Sequence, residues 1–279
     1  MKKNIGKIIL VLFGAALIVW SAKGLMSVPG QRAALEAAVY LEEAVVLPEN
    51  EGKLVIIHGE PEMLAPAYDE ELKLTINSIH AYRYKETYKQ IGFTDDERKW
   101  EWVSSGQETL TGQAKIGEFE LDANILSAFP AESDYVDFDP AETKDYVLTY
   151  KSIATGEVCV LPDGGYYADT NVTYIGDSFF NFLGAHSLGE RLEGKTAYRY
   201  KYYNPEKNGV HTIAGVQQGN RLAKDENVGA FVRDGVLPKE KVISANANSI
   251  IGGAAAFMAL GVLLVVLGLR KPKAKTKEA

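Results

Sequence analysis

Residues 250–269 read IIGGAAAFMALGVLLVVLGL, a run of 20 residues without a charged side chain. An α-helix rises about 1.5 Å per residue, so this run is roughly 30 Å long when helical, which matches the hydrocarbon core of a bilayer. The stretch therefore predicts a transmembrane helix close to the C-terminus. The residues on either side of it indicate how the remaining chain lies relative to the membrane.

A second apolar segment, residues 8–28, follows the basic start MKKNIGK. A basic start before an apolar run is typical of a cleaved signal peptide and also of an uncleaved signal anchor. Trp20 fits poorly in a small-residue cleavage site, and apolar residues resume after Lys23, so the anchor is favoured. Lys7 and Lys23 can then extend their ammonium groups towards opposite interfaces. We predict a second transmembrane helix at residues 8–28.

Positive charges flank both apolar segments on the side away from the middle of the chain. They are Lys2, Lys3, Lys7, Arg270, Lys271, Lys273, Lys275 and Lys277. Basic flanks mark the cytoplasmic side, so residues 1–7 and 270–279 are predicted to be cytoplasmic and residues 29–249 to lie on the opposite side. Residues 24–249 hold 21 Lys and Arg against 36 Asp and Glu, a net charge of −15. Such an acidic domain is not expected to bind nucleic acid.

The middle of the chain shows a period-two alternation of apolar and polar residues. Leu72, Leu74 and Ile76, for example, alternate with polar neighbours, which predicts antiparallel strands with one exposed face. The predicted strands are residues 53–58, 72–76, 82–89, 99–104, 146–150, 157–161, 171–182, 196–203 and 209–216. Helical spacing predicts helices over residues 31–44 and 120–129 only.

The expected fold class is therefore α+β: a membrane-anchored, predominantly antiparallel β domain with few helices, flanked by N- and C-terminal transmembrane helices. The acidic residues 130–142, which lie beside prolines, are the predicted boundary between two halves of the domain. Cys159 is the only cysteine, which excludes an intrachain disulfide. Its valine neighbours predict a buried thiol, with an intermolecular bridge as the alternative.

Six short motifs occur along the chain in an order that resembles a known family. They are ENEGKLV at 49–55, AYRYKE at 81–86, KWEW at 99–102, AKIGEF at 114–119, IGDSFFNF at 175–182 and IAGVQQGNRL at 213–222. None is specific by itself, but their order between two membrane segments is similar to the transmembrane protein 43 family, also called LUMA. The resemblance covers most of the chain.

The resemblance implies a non-enzymatic membrane protein that self-associates or binds another membrane protein. Animal members lie in the endoplasmic reticulum and inner nuclear membrane and contact emerin and lamins. This chain departs from them because only one C-terminal span can be placed and because its MKK start resembles a bacterial anchor. We therefore expect a bacterial-type member in the cell (plasma) membrane, with the endoplasmic reticulum and inner nuclear membrane as the alternative for a eukaryotic source.

No motif in the sequence identifies a reaction. The chain has no Gly-x-Ser-x-Gly elbow, no phosphate-binding Walker loop and no His-Glu-x-x-His zinc motif. Its four histidines are far apart in sequence, so a zinc site would have to be assembled by the fold. Asp134, Asp137 and Asp139 lack the glycine and distal glutamate of a calcium loop and are interpreted as a solvated acidic loop. We predict no catalytic, cofactor-binding or metal-binding residue.

Aromatic residues form one candidate surface. Tyr82, Tyr84, Trp100 and Trp102 occupy alternate positions on predicted strands and could form a platform for a glycan, a lipid or a partner protein. Cross-strand packing in the core explains the same spacing and is favoured.

Two further groups of residues are predicted to shape the backbone and the membrane helices. Gly176, Asp177, Gly215 and Gly219 are interpreted as architectural, because glycine permits tight backbone geometry and aspartate can accept a bond from a neighbouring amide. In the last span, Gly252 and Ala256 leave a groove that would let another helix approach, although ordinary glycine content in an unpartnered helix explains them equally well.

Two function classes remain open. The first is a non-enzymatic membrane scaffold or interaction protein, which the two anchors and the absence of a catalytic motif favour. The second is an envelope enzyme or ligand-binding protein whose site is formed by scattered carboxylates and aromatic residues. A deep pocket with convergent polar groups would favour the second class, and a flat edge or apolar patch the first.

Overall fold

The structure is a computed structural model that describes residues 2–94, 97–143, 147–152, 157–161, 194 and 196–270. Two long apolar helices at the ends of the chain enclose a β region that is mostly antiparallel. The predicted α+β class, with terminal apolar helices and few others, is confirmed at this level.

Four α-helices, one 3₁₀ helix (Pro48–Asn50) and sixteen strands occur in the described residues. In chain order they are α1 (Lys2–Ala37), β1 (Val39–Tyr40), β2 (Leu54–Gly59), β3 (Glu62–Ala65), β4 (Ala67–Asp69), β5 (Leu74–Ile76), β6 (His80–Thr94), β7 (Glu97–Thr111), β8 (Gln113–Ile116), β9 (Phe119–Leu121), α2 (Ala123–Leu126), β10 (Ser133–Asp134), β11 (Val147–Ser152), β12 (Glu157–Leu161), β13 (Thr196–Tyr202), α3 (Pro205–Asn208), β14 (His211–Gln218), β15 (Arg221–Ala223), β16 (Phe231–Asp234) and α4 (Lys239–Leu269).

The sheet that contacts the long helices, which we name the proximal sheet, is built around β14. One edge of β14 pairs with β2, and its other edge pairs with β16 and then β15. The sheet continues from β15 through β9 and β8 to β3, and β1 extends it beyond β2. The β1–β2 and β15–β9 pairs are parallel and the other pairs are antiparallel. Because β2 and β14 are central, apolar residues such as Ile56 and Ile57 are buried on both faces.

A second sheet, the distal sheet, has the strand order β11-β12-β13-β6-β7. β10 pairs with the end of β13, at Lys201 and Tyr202, on the edge that does not face β6. The longest feature of this sheet is the hairpin of β6 and β7, which are 15 residues each. The small β4–β5 sheet covers it, and Leu74, Ile76, Tyr198 and Tyr200 share the core between them. Tyr135 and Phe138, from the predicted boundary at residues 130–142, also belong to that core.

Several predicted elements differ from the observed ones in extent. The helix predicted over residues 31–44 is the end of α1, which stops at Ala37 so that β1 can pair with β2. The helix predicted over residues 120–129 is wrong in most of its length, because β9 pairs with β15 and only α2 is helical. Asp122 begins α2 by accepting a hydrogen bond from Ile125 N, as an N-cap does. The strand predicted at 171–182 lies outside the described residues.

Candidate functional site

The two long helices, α1 and α4, lie antiparallel against each other and are named the helix pair. Three polar contacts fix their register: Lys7 Nζ donates to Arg270 O, Asn246 Nδ2 donates to Gln31 Oε1, and Lys239 Nζ donates to Ala38 O. The two residue numbers of each contact add to 277. Residues 8–28 therefore lie level with residues 249–269, and the two apolar segments coincide along their whole length.

Small residues let the two helices approach closely. Gly14 and Ser21 of α1 and Ala254, Gly261 and Gly268 of α4 are buried, and neighbours within each set are seven residues apart. A seven-residue repeat keeps one face of each helix against its partner. A Cβ atom on Gly261 would lie 2.7 Å from Gly14 O, and a Cβ atom on Gly14 would lie 2.5 Å from Gly261 O. Only glycine fits these two positions without separating the helices.

The outward faces of the helix pair are apolar and have no covering element among the described residues. Both helices are long and apolar enough to cross a membrane, and 11% of the residues in the most apolar stretch of each are buried. The exposed large side chains include Ile8, Ile9, Leu12, Phe13, Val19, Trp20, Ile251, Phe257, Leu260, Leu263, Val266 and Leu267. A core helix of a domain would have most of these side chains buried.

The other end of the helix pair is fixed to the proximal sheet. Leu35 and Val242, one from each helix, are fully buried against Ile56 of β2, Ala214 of β14 and Phe231 of β16. The Lys239 ammonium, at the start of α4, donates to the carbonyls of Glu36 and Ala38 at 2.7 and 2.6 Å. Helix C-termini carry partial negative charge, so a lysine of the neighbouring helix stabilises this end of α1.

Removal of the Lys239 ammonium is expected to loosen this attachment. Lys239→Met keeps the apolar stem but leaves two carbonyls of the α1 end without their donor, at an expected cost of about 1–2 kcal/mol. Thermal unfolding of the full chain in detergent micelles should show a Tm lower by several degrees than that of Lys241→Met. Lys241 is the matched control, because it lies two residues further along α4 and its side chain is exposed. Equal Tm values for the two variants would contradict this role for Lys239.

Gly252 and Ala256 lie on the outward face of α4, and nothing lies within 4 Å of a Cβ built on Gly252. The contact of α4 with α1 runs through Ala254 and Gly261 instead. These residues are two and nine positions beyond Gly252, and two positions turn a helix by about 200°. The seven-residue repeat of Ala254, Gly261 and Gly268 is the sequence signal that identifies the contacting face. Self-association through Gly252 and Ala256 stays a prediction.

The four aromatic residues of the candidate surface fall at two places on the β6–β7 hairpin. Tyr82 and Tyr84 have ring centroids 6.3 Å apart, and the Arg199 guanidinium lies over the Tyr84 ring at 4.4 Å. Trp102 packs edge-on against Tyr88 at 5.1 Å instead. The backbone of Trp100 pairs with that of Gln90, two residues nearer the hairpin tip than the Tyr88–Trp102 pair. The pairing therefore separates the tyrosines from the tryptophans along the hairpin.

Two of the four predicted architectural residues are described. Gly215 lies inside β14, where a Cβ would come within 2.7 Å of Leu222 Cγ and 2.8 Å of Ala223 O, so a larger residue would push β15 away. Gly219, with φ of 60°, forms the turn between β14 and β15, a conformation that glycine adopts readily. Gly176 and Asp177 lie outside the described residues.

A buried ionic cluster between the β4–β5 sheet and the distal sheet was not predicted from the sequence. Asp69 is 1% exposed and accepts hydrogen bonds from Arg83 Nη1 at 2.7 Å, Tyr200 OH at 2.7 Å, and two backbone amides at 2.9 and 3.1 Å. Arg83 also contacts Glu71 and Glu108. Burial lowers the pKa of Arg83, but the hydrogen bond and charge of Asp69 and the charges of Glu108 and Glu71 together raise the pKa overall. We name this set the Asp69–Arg83 cluster.

Within the described ranges, no group of three His, Cys, Asp or Glu side chains is placed to hold a metal ion. Comparisons of the chain with protein-family models, with curated proteins and with solved structures find no match. The architecture alone therefore defines the class of protein, which is a β-rich domain attached to two paired apolar helices.

Proposed function

We propose that the protein is an integral membrane protein whose helix pair crosses the bilayer twice and holds the β-rich domain on one side. In this role the domain is a non-enzymatic scaffold or interaction surface. The observation that supports the proposal best is the register of the helix pair. Two apolar segments that are remote in sequence coincide in height, and their common outer surface is exposed.

The hydrophobic effect gives this surface a large preference for lipid. Transfer of one exposed Leu, Ile or Phe side chain out of water contributes about 1.5–3 kcal/mol. The helix pair exposes more than ten such side chains, so lipid is the environment that satisfies them. The contacts of Lys7 and Gly14 with α4 also support an uncleaved signal anchor, because cleavage after residue 21 would remove more than half of α1 and both of these contacts.

The charges support one orientation. Lys7 and Arg270 lie together at one end of the helix pair, where both basic termini begin. Basic ends favour the cytoplasmic side, so the acidic domain lies outside the cytoplasm. We propose the plasma membrane of a bacterium as its location, and the endoplasmic reticulum and inner nuclear membrane if the source is eukaryotic. The motif order described above supports a place near the transmembrane protein 43 family, with lipid and a second membrane protein or copy as partners.

The Asp69–Arg83 cluster supports a scaffold rather than a catalyst. Both carboxylate oxygens of Asp69 are occupied by protein donors, and the carboxylates beside Arg83 are turned towards its guanidinium. Polar groups that satisfy each other stabilise a fold, whereas a ligand site presents groups that converge on a cavity.

Protease protection tests the topology. Epitopes are placed at both ends of the chain, and protease is added to sealed, right-side-out cells or vesicles. We expect the domain at residues 29–249 to be digested while both epitopes survive, because only the domain is outside. Vesicles opened with detergent provide the control in which both epitopes are digested. Loss of the C-terminal epitope in sealed vesicles would contradict the proposed orientation.

A further inference from the structure

The proximal and distal sheets are connected at one compact place. The chain crosses between them at residue 112, at residues 127–132 and 203–210, and, by way of the β4–β5 sheet, at residues 66–79. The crossings are bonded to each other, because Tyr203 N donates to His80 O at 2.9 Å and Gly112 N donates to Ile79 O at 2.9 Å. The Ser78 hydroxyl lies 2.8 Å from Tyr203 O. We name Ser78, His80, Phe129, Tyr203 and His211 the joint.

His80, the first residue of β6, is completely buried in the joint. Its Nδ1 lies 2.8 Å from Phe129 O. A carbonyl can only accept a hydrogen bond, so the neutral ring carries its proton on Nδ1 and leaves Nε2 bare. Within the described part of the chain, that buried Nε2 has no hydrogen-bond partner. A second proton would therefore create a buried cation whose new N–H has no acceptor among these residues.

His211, the first residue of β14, is the second completely buried histidine of the joint. Its Nε2 lies 2.9 Å from Tyr203 OH, and the Phe129 ring packs edge-on against it at 4.9 Å. Asp234 Oδ1 is 3.2 Å from Nδ1, but the angle is not that of a hydrogen bond and the carboxylate is 69% exposed. Asp234 is thus an anion close to the His211 ring, but its carboxylate is exposed to water, which screens its attraction for a protonated His211.

We propose that the joint is a pH-sensitive coupling: protonation of His80 and His211 in mildly acidic conditions loosens the distal sheet from the proximal sheet and the helix pair. Loosening would free the distal sheet, which is held through the joint, while the proximal sheet stays packed on the helices. The proposal rests on the joint alone and holds whether or not the helix pair lies in a membrane.

The sign of the effect follows from burial. Burial lowers the pKa of His80, against a smaller opposite effect of the Phe129 carbonyl, and burial lowers the pKa of His211 against the charge of Asp234. Among the described residues, Tyr82, Tyr203 and Glu60 are the other titratable groups that act on the joint; burial, followed by the charges of Asp234 and Glu60, raises the pKa of Tyr203. An opened joint binds protons near pH 6.5, where the closed joint does not, so the closed form loses stability as the pH falls below that value.

Hydrogen exchange of backbone amides tests the proposal on the full chain in detergent micelles. Protection factors, which are corrected for the intrinsic effect of pH on exchange, are compared at pH 7.5 and 5.5. We expect peptides that contain Tyr203 and Gly112 to lose protection by about tenfold at pH 5.5 and to regain it on return to pH 7.5. Peptides from the helix pair should keep their protection.

His80→Asn keeps a donor near the Nδ1 position but cannot gain a proton at Nε2, so it should reduce the pH effect. His211→Gln is the second variant and should also reduce the pH effect, because it keeps a polar atom near Tyr203 OH but has no imidazole to protonate. His58→Asn is the matched control, since His58 stacks on Tyr40 outside the joint and should leave the effect intact. Unchanged wild-type protection at pH 5.5, or equal loss over the whole chain, would overturn the proposal. So would a pH effect that disappears in His58→Asn alone.

Discussion

Gly261→Ile is expected to separate α1 from α4. The first atom that the substitution adds would lie 2.7 Å from Gly14 O and 2.9 Å from Ile18 Cγ1, and isoleucine brings three further carbons. Overpacking of a tight contact costs about 1–3 kcal/mol or more, and backbone atoms cannot move away as a flexible side chain can. We therefore expect the substitution to reduce pairing of α1 with α4 by about fivefold or more.

Crosslinking of Trp20→Cys to Phe257→Cys with a bifunctional maleimide measures this pairing, because the two native rings are in contact and residues 20 and 257 therefore face each other. Cys159→Ser removes the only native cysteine. Gly252→Ile is a close control, since it makes the same chemical change on the outward face of the same helix, where an added Cβ meets nothing within 4 Å. It should leave this crosslink unchanged. The reverse pattern, with Gly252→Ile reducing the crosslink and Gly261→Ile not, would show that the face predicted from the sequence makes the contact.

Asp69→Ala is expected to destabilise the domain by about 3–5 kcal/mol, the cost of removing one partner of a buried ion pair. The substitution removes the carboxylate that accepts from Tyr200 OH and from two backbone amides, and it takes from Arg83 its fully buried counter-charge. The loss is a large part of the 5–15 kcal/mol by which domains of this size are stable. Urea unfolding of the full chain in micelles, followed by circular dichroism, measures it.

Glu70→Ala is the matched control for this prediction. The neighbouring carboxylate is 83% exposed and its partner Lys73 is exposed as well, so its removal should not change the unfolding midpoint measurably. If Asp69→Ala and Glu70→Ala shift the midpoint equally, the Asp69–Arg83 cluster does not stabilise the domain as its geometry indicates.

The two long apolar helices and most strands follow from the sequence because their signals are local. A long uncharged run or a period-two alternation depends only on neighbouring residues, so β12 has its predicted extent and α4 contains the whole predicted run 250–269, although it begins earlier, at Lys239. The helix predicted over residues 120–129 failed because its first residues pair with β15, which lies 100 residues further along the chain. Local spacing carries no signal for such a partner.

The candidate site also combines features that have a local signal in the sequence with features that depend on residues distant in the chain. Small residues in the last span were recognised, but the face they use depends on the register with α1, which becomes visible only when Gly14 and Gly261 are placed together. The Asp69–Arg83 cluster joins residues from separate elements, and the sequence shows each of them as an ordinary charged residue in a polar stretch. His80 and His211 are 131 residues apart, and the joint brings both to Phe129.

The placement of the helix pair in lipid is tested most directly by thiol labelling in membranes. Single cysteines at Phe13 and Leu263, which are 57% and 53% exposed, are introduced with Cys159→Ser and treated with a water-soluble maleimide. Membranes are opened mechanically beforehand, so that the reagent reaches both sides. Glu70→Cys gives the rate for an exposed position in the domain. We predict that both helix cysteines stay unlabelled while Glu70→Cys reacts fully, because lipid covers the helices. Labelling of Phe13→Cys and Leu263→Cys at the rate of Glu70→Cys would contradict the membrane-spanning helix pair.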